Sequence, residues 1–446
     1  MKGRTKMNIH EIDNELCVKC KMNPRRMLCG RPKCPILLKL NALNPIRPFL
    51  LDKTELTGPT PPAFFVGSYG YPKVRAGAMI PVPVDLGTDD VIILDEPDLW
   101  LAGRDAGVEM QQILNWRSSL VRTSELLAVD VLDKSRELAT AREALMSEVP
   151  INLSASFEKS PVIQLKLNQF TQPVGPHAKG IKKLEIEEYN VNVPRHVDKV
   201  VDDTDLLAVD AVNDLYSHDL TVTRINRLLS AGLLGTGKKR KLVPTRWSIT
   251  ATDDMLGKKL IEDIKNYQEL GEYRLFQNSG YLDNWYNILL VPREWSFEQI
   301  EAWYPNWTGA DEENLLREPS FAVDYEFYKG RTTYASNVAG GYYAGRLPVL
   351  EYLKGIKRQA AAIIFREIRA GYVVPLGVWQ VRQNVRSALF NAKSEPTDNY
   401  ESYTSLEEAL DRIEANLGKS LKPWIKKMTL LKQIKTQRRL IDFFSN

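Results

Sequence analysis

Residues 232–239 read Gly-Leu-Leu-Gly-Thr-Gly-Lys-Lys, one substitution away from the G-x4-G-K-(S/T) phosphate loop that opens a nucleotide-binding α/β domain. Lys239 stands where that loop needs a magnesium-binding hydroxyl. The residues before it, LTVTRINRLLSA at 220–231, carry apolar side chains at helical spacing. A helix therefore arrives where the phosphate loop requires a strand, and Gly232 reads as the glycine that ends it. The stretch excludes a P-loop fold and fixes a helical centre instead.

Working outward, DTDLLAVDAVNDLYS at 203–217 pairs with that helix across a short turn. On the other side LVPTRWSITATDD (242–254) alternates like a strand, with Asp253 and Asp254 capping a following helix MLGKKLIEDIKNY. NVAGGYYAGR (337–346) opens a long helix expected over 347–369, where Gly340 and Gly341 either bring amides near an anion or permit close packing. PLGVWQVRQNVR (375–386) sets Arg382 and Arg386 one turn apart, as a phosphate clamp or as solvated charge. Ser405 and Glu408 form a capping box for a helix closed by Gly418. Towards the N-terminus, 59–84 mixes Gly and Pro with aromatics and suits loops and edge strands. Residues 95–122 and 123–149 read as helices, and 150–196 as strand plus loops, with strand-like alternation at 164–170. Trp285, Trp295, Trp303 and Trp307 read as core before they read as a base-stacking platform. The sum is a mixed α/β (α+β) multi-domain chain without Rossmann or TIM-barrel signatures.

A chain of 446 residues, 43% hydrophobic and 26% charged, exceeds one ordinary core. No apolar run approaches the length of a bilayer span, and no apolar segment follows the basic start MKGRTKMNIH, which predicts a cytoplasmic protein. Charge is uneven. Residues 1–40 and 419–446 each carry a net +7, leaving −10 on the body between them. Two basic ends around an acidic body point to polyanion contact. The expected divisions are a module at 1–40, α/β regions at 41–200 and 201–418, and a flexible basic tether at 419–446.

All four cysteines, Cys17, Cys20, Cys29 and Cys34, lie within 18 residues in the pattern C-x2-C-x8-C-x4-C. Such spacing predicts a closed, structural zinc site, with an iron–sulfur cluster as the competing occupant. Lys19, Lys21, Arg25, Arg26, Arg31 and Lys33 crowd the same window without an acid. They either balance the thiolates or, as expected of Arg25, Arg26, Arg31 and Lys33, meet nucleic-acid phosphates.

The chain ends in QRRLIDFFSN. Gln437, Leu440, Phe443 and Phe444 fit Q-x-x-(L/I/M)-x-x-(F/Y)-(F/Y), the peptide box that docks on the sliding clamp PCNA. On a 3₁₀ turn, residues three apart eclipse, so Leu440 and Phe443 project together beside Phe444 as an apolar plug.

The four-cysteine module, FFVGSYGYPKVRAGAMIP, WRSSLVR, RKLVPTRWSITATDD, GGYYAGRL, PLGVWQVR and QRRLIDFF together resemble the archaeal Nre family, in particular its NreA type, over essentially the whole chain. The resemblance implies an archaeal DNA repair protein that binds PCNA, with Cys17, Cys20, Cys29 and Cys34 as its zinc-finger-like element. Three classes of function compete. One is a clamp-tethered repair factor whose zinc module and basic ends contact DNA. The second is an enzyme on nucleic acid or a nucleotide using Arg246, Asp253, Asp254, Arg346 and Glu367. The third is a scaffold that bridges the clamp to another protein. Clamp binding would make the protein nucleoid-associated.

Overall fold

A computed structural model of the chain describes residues 19–21, 23, 28, 31–101, 107–130, 135–163, 174–188, 190–278, 280–304, 319–417 and 419–437. From residue 31 onward the chain forms helices α1 (Pro35–Leu43) and α2 (Arg47–Leu50), then strands β1 (Glu55–Thr60), β2 (Phe64–Val66) and β3 (Lys73–Pro81). Helix α3 (Met110–Ser119) runs directly into β4 (Leu120–Ala128), followed by α4 (Arg136–Met146), β5 (Ile151–Phe157), β6 (His177–Lys179) and β7 (Ile181–Ile186). Two sheets result. One has the order β1-β5-β7 and the other β2-β3-β4-β6. Residues 59–84 therefore supply a central strand, β3, as well as the expected edges, and the helix expected across 95–122 is confined to α3. Residues 120–128, split between two expected helices, form β4 because Val121, Thr123 and Leu127 alternate into the core. The expected strand at 164–170 lies outside the described residues.

Four helices follow: α5 (Arg195–Asp202), α6 (Ala208–Ser217), α7 (Val222–Ser230) and α8 (Thr245–Ile264). The pair α6 and α7 is where the sequence placed it, and the Gly232–Lys239 near-match follows a helix as expected. Helix α8 corrects the strand expected over 242–254. Its buried residues Ser248, Thr252, Leu256, Leu260 and Ile264 recur every fourth position, so one helical face is inside even though its first two residues are small and polar.

The remainder builds β8 (Tyr273–Gln277), β9 (Asn284–Val291), β10 (Ser296–Trp303), β11 (Ser320–Glu326), α9 (Gly340–Gly355), β12 (Ala361–Ile368), α10 (Trp379–Leu389), β13 (Glu401–Tyr403), α11 (Leu406–Asn416), α12 (Lys422–Lys427) and α13 (Leu430–Thr436). The expected long helix 347–369 is thus two elements. It stops at Gly355, and β12 follows, buried at every residue. The strands form one six-stranded sheet, β11-β10-β12-β9-β8-β13, antiparallel except for β10 and β12. Ala362 and Ile364 face α8 and α9 in a core that extends to Ile46. Ile363 and Phe365 face α11, α12 and α13 in a second core. The boundary expected at residue 200 falls inside α5.

The flexible tether expected from residue 419 is corrected as far as residue 437. Trp424, Met428, Leu431 and Ile434 are buried against the sheet, while Lys422, Lys426, Lys427, Lys432 and Lys435 point outward. Glu298 of β10 anchors the last helix: it accepts backbone N–H bonds from Thr429 (2.6 Å), Leu430 (3.1 Å) and Leu431 (3.0 Å). The cations misled because they form the wet face of an amphipathic pair of helices. The Ser405–Glu408 capping box is present in full, whereas Gly418 lies outside the described residues. Among the described residues, no helix is long and apolar enough to cross a membrane.

Candidate functional site

Where β2, β3 and β4 meet α7, α8 and the start of α9, the fold encloses a cavity of about 1140 Å³. The N-terminal turn of α8 supplies Thr245, Arg246 and Trp247, and the first residue of α9 supplies Gly340. Both helices begin without a side-chain cap, so the positive ends of two long helix dipoles border the same space. Local bonds hold this frame. Val66 N–H donates to Thr245 Oγ1 (2.9 Å), tying α8 to β2. A Cβ on Gly175, in the cavity wall, would stand 1.8 Å from the Leu120 carbonyl oxygen, so only glycine lets that loop lie against β4.

The lining is strongly basic. Arg117, Arg122, Arg227, Arg246, Lys258 and Arg331 face Asp95 and Asp254. Half of these cations are neutralised: Arg227 by Asp95 (2.9 Å) and Glu96 (3.3 Å), Lys258 by Asp254 (2.7 Å), and Arg331 by Asp324 (3.1 Å). Arg117, Arg122 and Arg246 have no carboxylate partner among the described residues. Arg117 donates to the Leu376 carbonyl (3.1 Å) and lies over the Trp100 ring at 5.1 Å. Arg122 lies over Phe65 at 4.6 Å. The Nε of each is buried without a hydrogen-bond partner. Burial pushes the Arg122 guanidinium down to about 10, with no nearby carboxylate to oppose it. Two aromatic rings of the lining, Trp247 and Tyr334, are exposed at 45% and 54%.

The structure brings part of the sequence-derived body site here. Arg246 and Asp254 line the cavity. Arg346 lies beneath it, donating to Asp254 Oδ1 (2.7 Å) and to the fully buried Glu326 (2.7 Å). Asp253 faces the opposite way and accepts from Arg382 (2.5 Å); burial raises its carboxyl to about 6. Glu367 is elsewhere, paired with Arg369 on the six-stranded sheet. These five residues therefore form no single catalytic cluster.

The phosphate clamp expected of Arg382 and Arg386 is corrected. Arg382 is 1% exposed, and Arg386 binds Glu351 through Nε (2.9 Å) and Nη2 (2.6 Å). Both are internal counter-ions in a network with Asp98, Asp253 and Tyr216. Of the aromatics expected in the core, Trp295 is fully buried and Trp303 half-buried, Trp285 is exposed, and Trp307 lies outside the described residues. Sequence reasoning missed Arg117 and Arg122. The available signal was WRSSLVR, two arginines in a stretch otherwise committed to the core.

At the N-terminus, Cys20 and Cys34 are half-buried. Cys34 occupies the N-cap of α1. Arg31 is buried and Lys33 exposed. Cys17, Cys29, Arg25 and Arg26 lie outside the described residues. In the tail, Gln437 is exposed and its carbonyl accepts from Arg293 (3.0 Å), while Leu440, Phe443 and Phe444 lie outside the described residues.

Two regions of the chain match known family descriptions. Residues 28–308 match the family described as "Archaeal Nre, N-terminal", and residues 326–443 match "Archaeal Nre, C-terminal". The chain is 39% identical over 427 residues to a DNA repair protein NreB of Archaeoglobus fulgidus, covering 96% of this chain and 99% of the relative. It is 35% identical to a DNA repair protein NreA of the same organism, covering 88% and 92%. It is 34% identical to a DNA repair protein NreA of Haloferax volcanii, covering 75% and 78%. No solved structure matches. With both family regions matched and relatives aligned along nearly its whole length, the chain belongs to the archaeal Nre family.

Proposed function

We propose that this protein is a DNA repair factor that is brought to DNA by the sliding clamp PCNA through the C-terminal QRRLIDFF peptide. One observation carries the repair assignment: relatives named DNA repair proteins align with it almost end to end. The clamp assignment is supported by the spacing of Gln437, Leu440, Phe443 and Phe444. Helix α13 ends at Thr436, and Gln437, the first residue of the box, is exposed. Docking through the box would raise the effective concentration of the body beside the encircled duplex.

The zinc module is supported by the spacing of its four cysteines, the last of which, Cys34, is the N-cap of α1. Zinc bound by Cys17, Cys20, Cys29 and Cys34 would fold the module, and exposed cations such as Lys33 would meet the phosphate backbone with little sequence preference. Calorimetry of purified clamp with a synthetic tail peptide tests the recruitment; absence of heat and of complex removes it. Elemental analysis giving about one zinc per chain tests the module, and iron in its place overturns the metal assignment.

A further inference from the structure

We propose that the basic cavity binds a nucleoside phosphate, its phosphate held among Arg117, Arg122 and Arg246 and its base against the exposed rings of Trp247 and Tyr334. This site is built from the body alone and stands whether or not the tail docks on a clamp.

Charge carries the first half of the argument. A desolvated cation without a counter-ion is costly, which applies to Arg117 and Arg122, while the exposed Arg246 adds positive charge at the cavity's edge. The two carboxylates of the wall are already engaged, Asp95 by Arg227 (2.9 Å) and Asp254 by both Arg346 (2.7 Å) and Lys258 (2.7 Å). Among the described residues no ion pair reaches Arg117, Arg122 or Arg246, and only Arg117 feels a nearby carboxylate, Asp95. The planar, multi-donor guanidinium groups of Arg117 and Arg122 are suited to phosphate oxygens. The uncapped starts of α8 and α9 add amides of the same polarity.

Shape carries the second half. A bare inorganic anion leaves most of about 1140 Å³ unfilled. The lining also includes apolar and aromatic side chains, among them Phe64, Met79 and Tyr343. Tyr334 is braced for stacking: its ring lies on Tyr343 at 5.7 Å and 22°. Trp247 is braced by Tyr71 at 5.0 Å. Aromatic faces beside a cationic pocket are the means by which proteins hold single bases next to their phosphates. The same chemistry is presented by a free nucleotide and by the 5′-terminal nucleotide of a single strand.

The test uses the full chain with dAMP, deoxyadenosine, inorganic phosphate, and a short single-stranded oligonucleotide carrying either a 5′-phosphate or a 5′-hydroxyl. Equilibrium binding should favour dAMP, the 5′-phosphorylated strand, or both, by about tenfold or more over their unphosphorylated counterparts. Tight binding of dAMP alone identifies a free nucleotide as the source; preference for the phosphorylated strand identifies a strand end. Arg122→Met and Arg246→Gln should each weaken that binding about tenfold or more. Trp247→Ala should weaken the base-bearing ligands and leave inorganic phosphate unchanged. Removing a repelling, unpaired cation should leave the unliganded protein as heat-stable as the parent, or more so, in Arg122→Met; the exposed Arg246 supplies a second variant that does not touch the interior. Affinity that is indifferent to the phosphate, or undiminished in both arginine variants, or equal for inorganic phosphate and dAMP, overturns the proposal.

Discussion

Replacing Glu298 by alanine should loosen the last helix, α13, from the body. The fully buried carboxylate accepts three consecutive backbone N–H groups at 2.6, 3.1 and 3.0 Å, at the start of α13. Loss of a helix cap costs about 0.5–2 kcal/mol, and a buried charge on a helix dipole contributes up to about 2 kcal/mol more. Together the variant should lose about 2–4 kcal/mol, the larger figure applying if the orphaned amides stay dry. Helix α13 has only 7 residues, too few to persist alone, so the loss should appear as local opening. Hydrogen exchange followed by mass spectrometry should show amides of 429–436 exchanging about 30- to 1000-fold faster, and trypsin should cut at Lys432 and Lys435. Glu298→Gln keeps one acceptor for Thr429 and Leu430 but turns an NH2 towards the Leu431 amide, so it should behave nearly as badly. Unchanged exchange and protease resistance in both variants would refute the anchor, and with it the claim that the basic segment belongs to the body.

Arg346→Met should cost about 3–5 kcal/mol, because it strands Glu326 in the interior without its cation; a melting temperature equal to the parent's would show that the pair is dispensable. Gly345→Ala should destabilise by about 1–3 kcal/mol, since the new Cβ would stand 2.2 Å from Gln299 Oε1 between α9 and the sheet; a neutral thermal melt would contradict that contact. Burial raises Glu96 to about 7 and Asp253 to about 6. Raised carboxyls mean that the folded chain holds protons the unfolded chain has released. Their contribution to stability is complete below about pH 4 and is lost as pH rises through about 6 to 7. Glu96→Gln should flatten that part of the stability profile, and an unaltered slope in melts from pH 5 to 8 counts against it. Phe443→Ala combined with Phe444→Ala should abolish clamp binding without altering thermal stability; a large fall in stability would mean that the tail is part of the core.

What could be read from the chain beforehand depended on whether a buried face is apolar. Helix α7 and the capping box of α11 follow ordinary rules and were legible. Helix α8 was not, because Ser248 and Thr252 occupy the inner face where hydrophobic periodicity looks for Leu or Val, and Thr, Trp and Ile around them imitate alternation. Strand β12 carries Arg366 and Glu367, which look like the wet side of a helix. Inside, Arg366 is satisfied by Glu301 (2.7 Å) and Asn284 (2.8 Å), partners more than 60 residues away. Distance along the chain hides such pairs, and it misled the reading of Arg382 and Arg386 in the same way. For the cavity, Arg246 and Asp254 were singled out because they sit in one short stretch. Arg117 and Arg122 reach it from a helix-to-strand junction more than a hundred residues earlier, which no local pattern records.

The strand order has a practical consequence for anyone cutting this protein. Strands β8, β9 and β10 fall in the first matched region and β12 and β13 in the second, yet β12 lies between β10 and β9. Fragments divided at the junction between those regions would each carry an interleaved comb with missing teeth, exposing unpaired backbone edges that invite aggregation. Soluble material should be recovered only when both fragments are made together in one cell, so the two named regions are halves of a single folding unit and not portable modules.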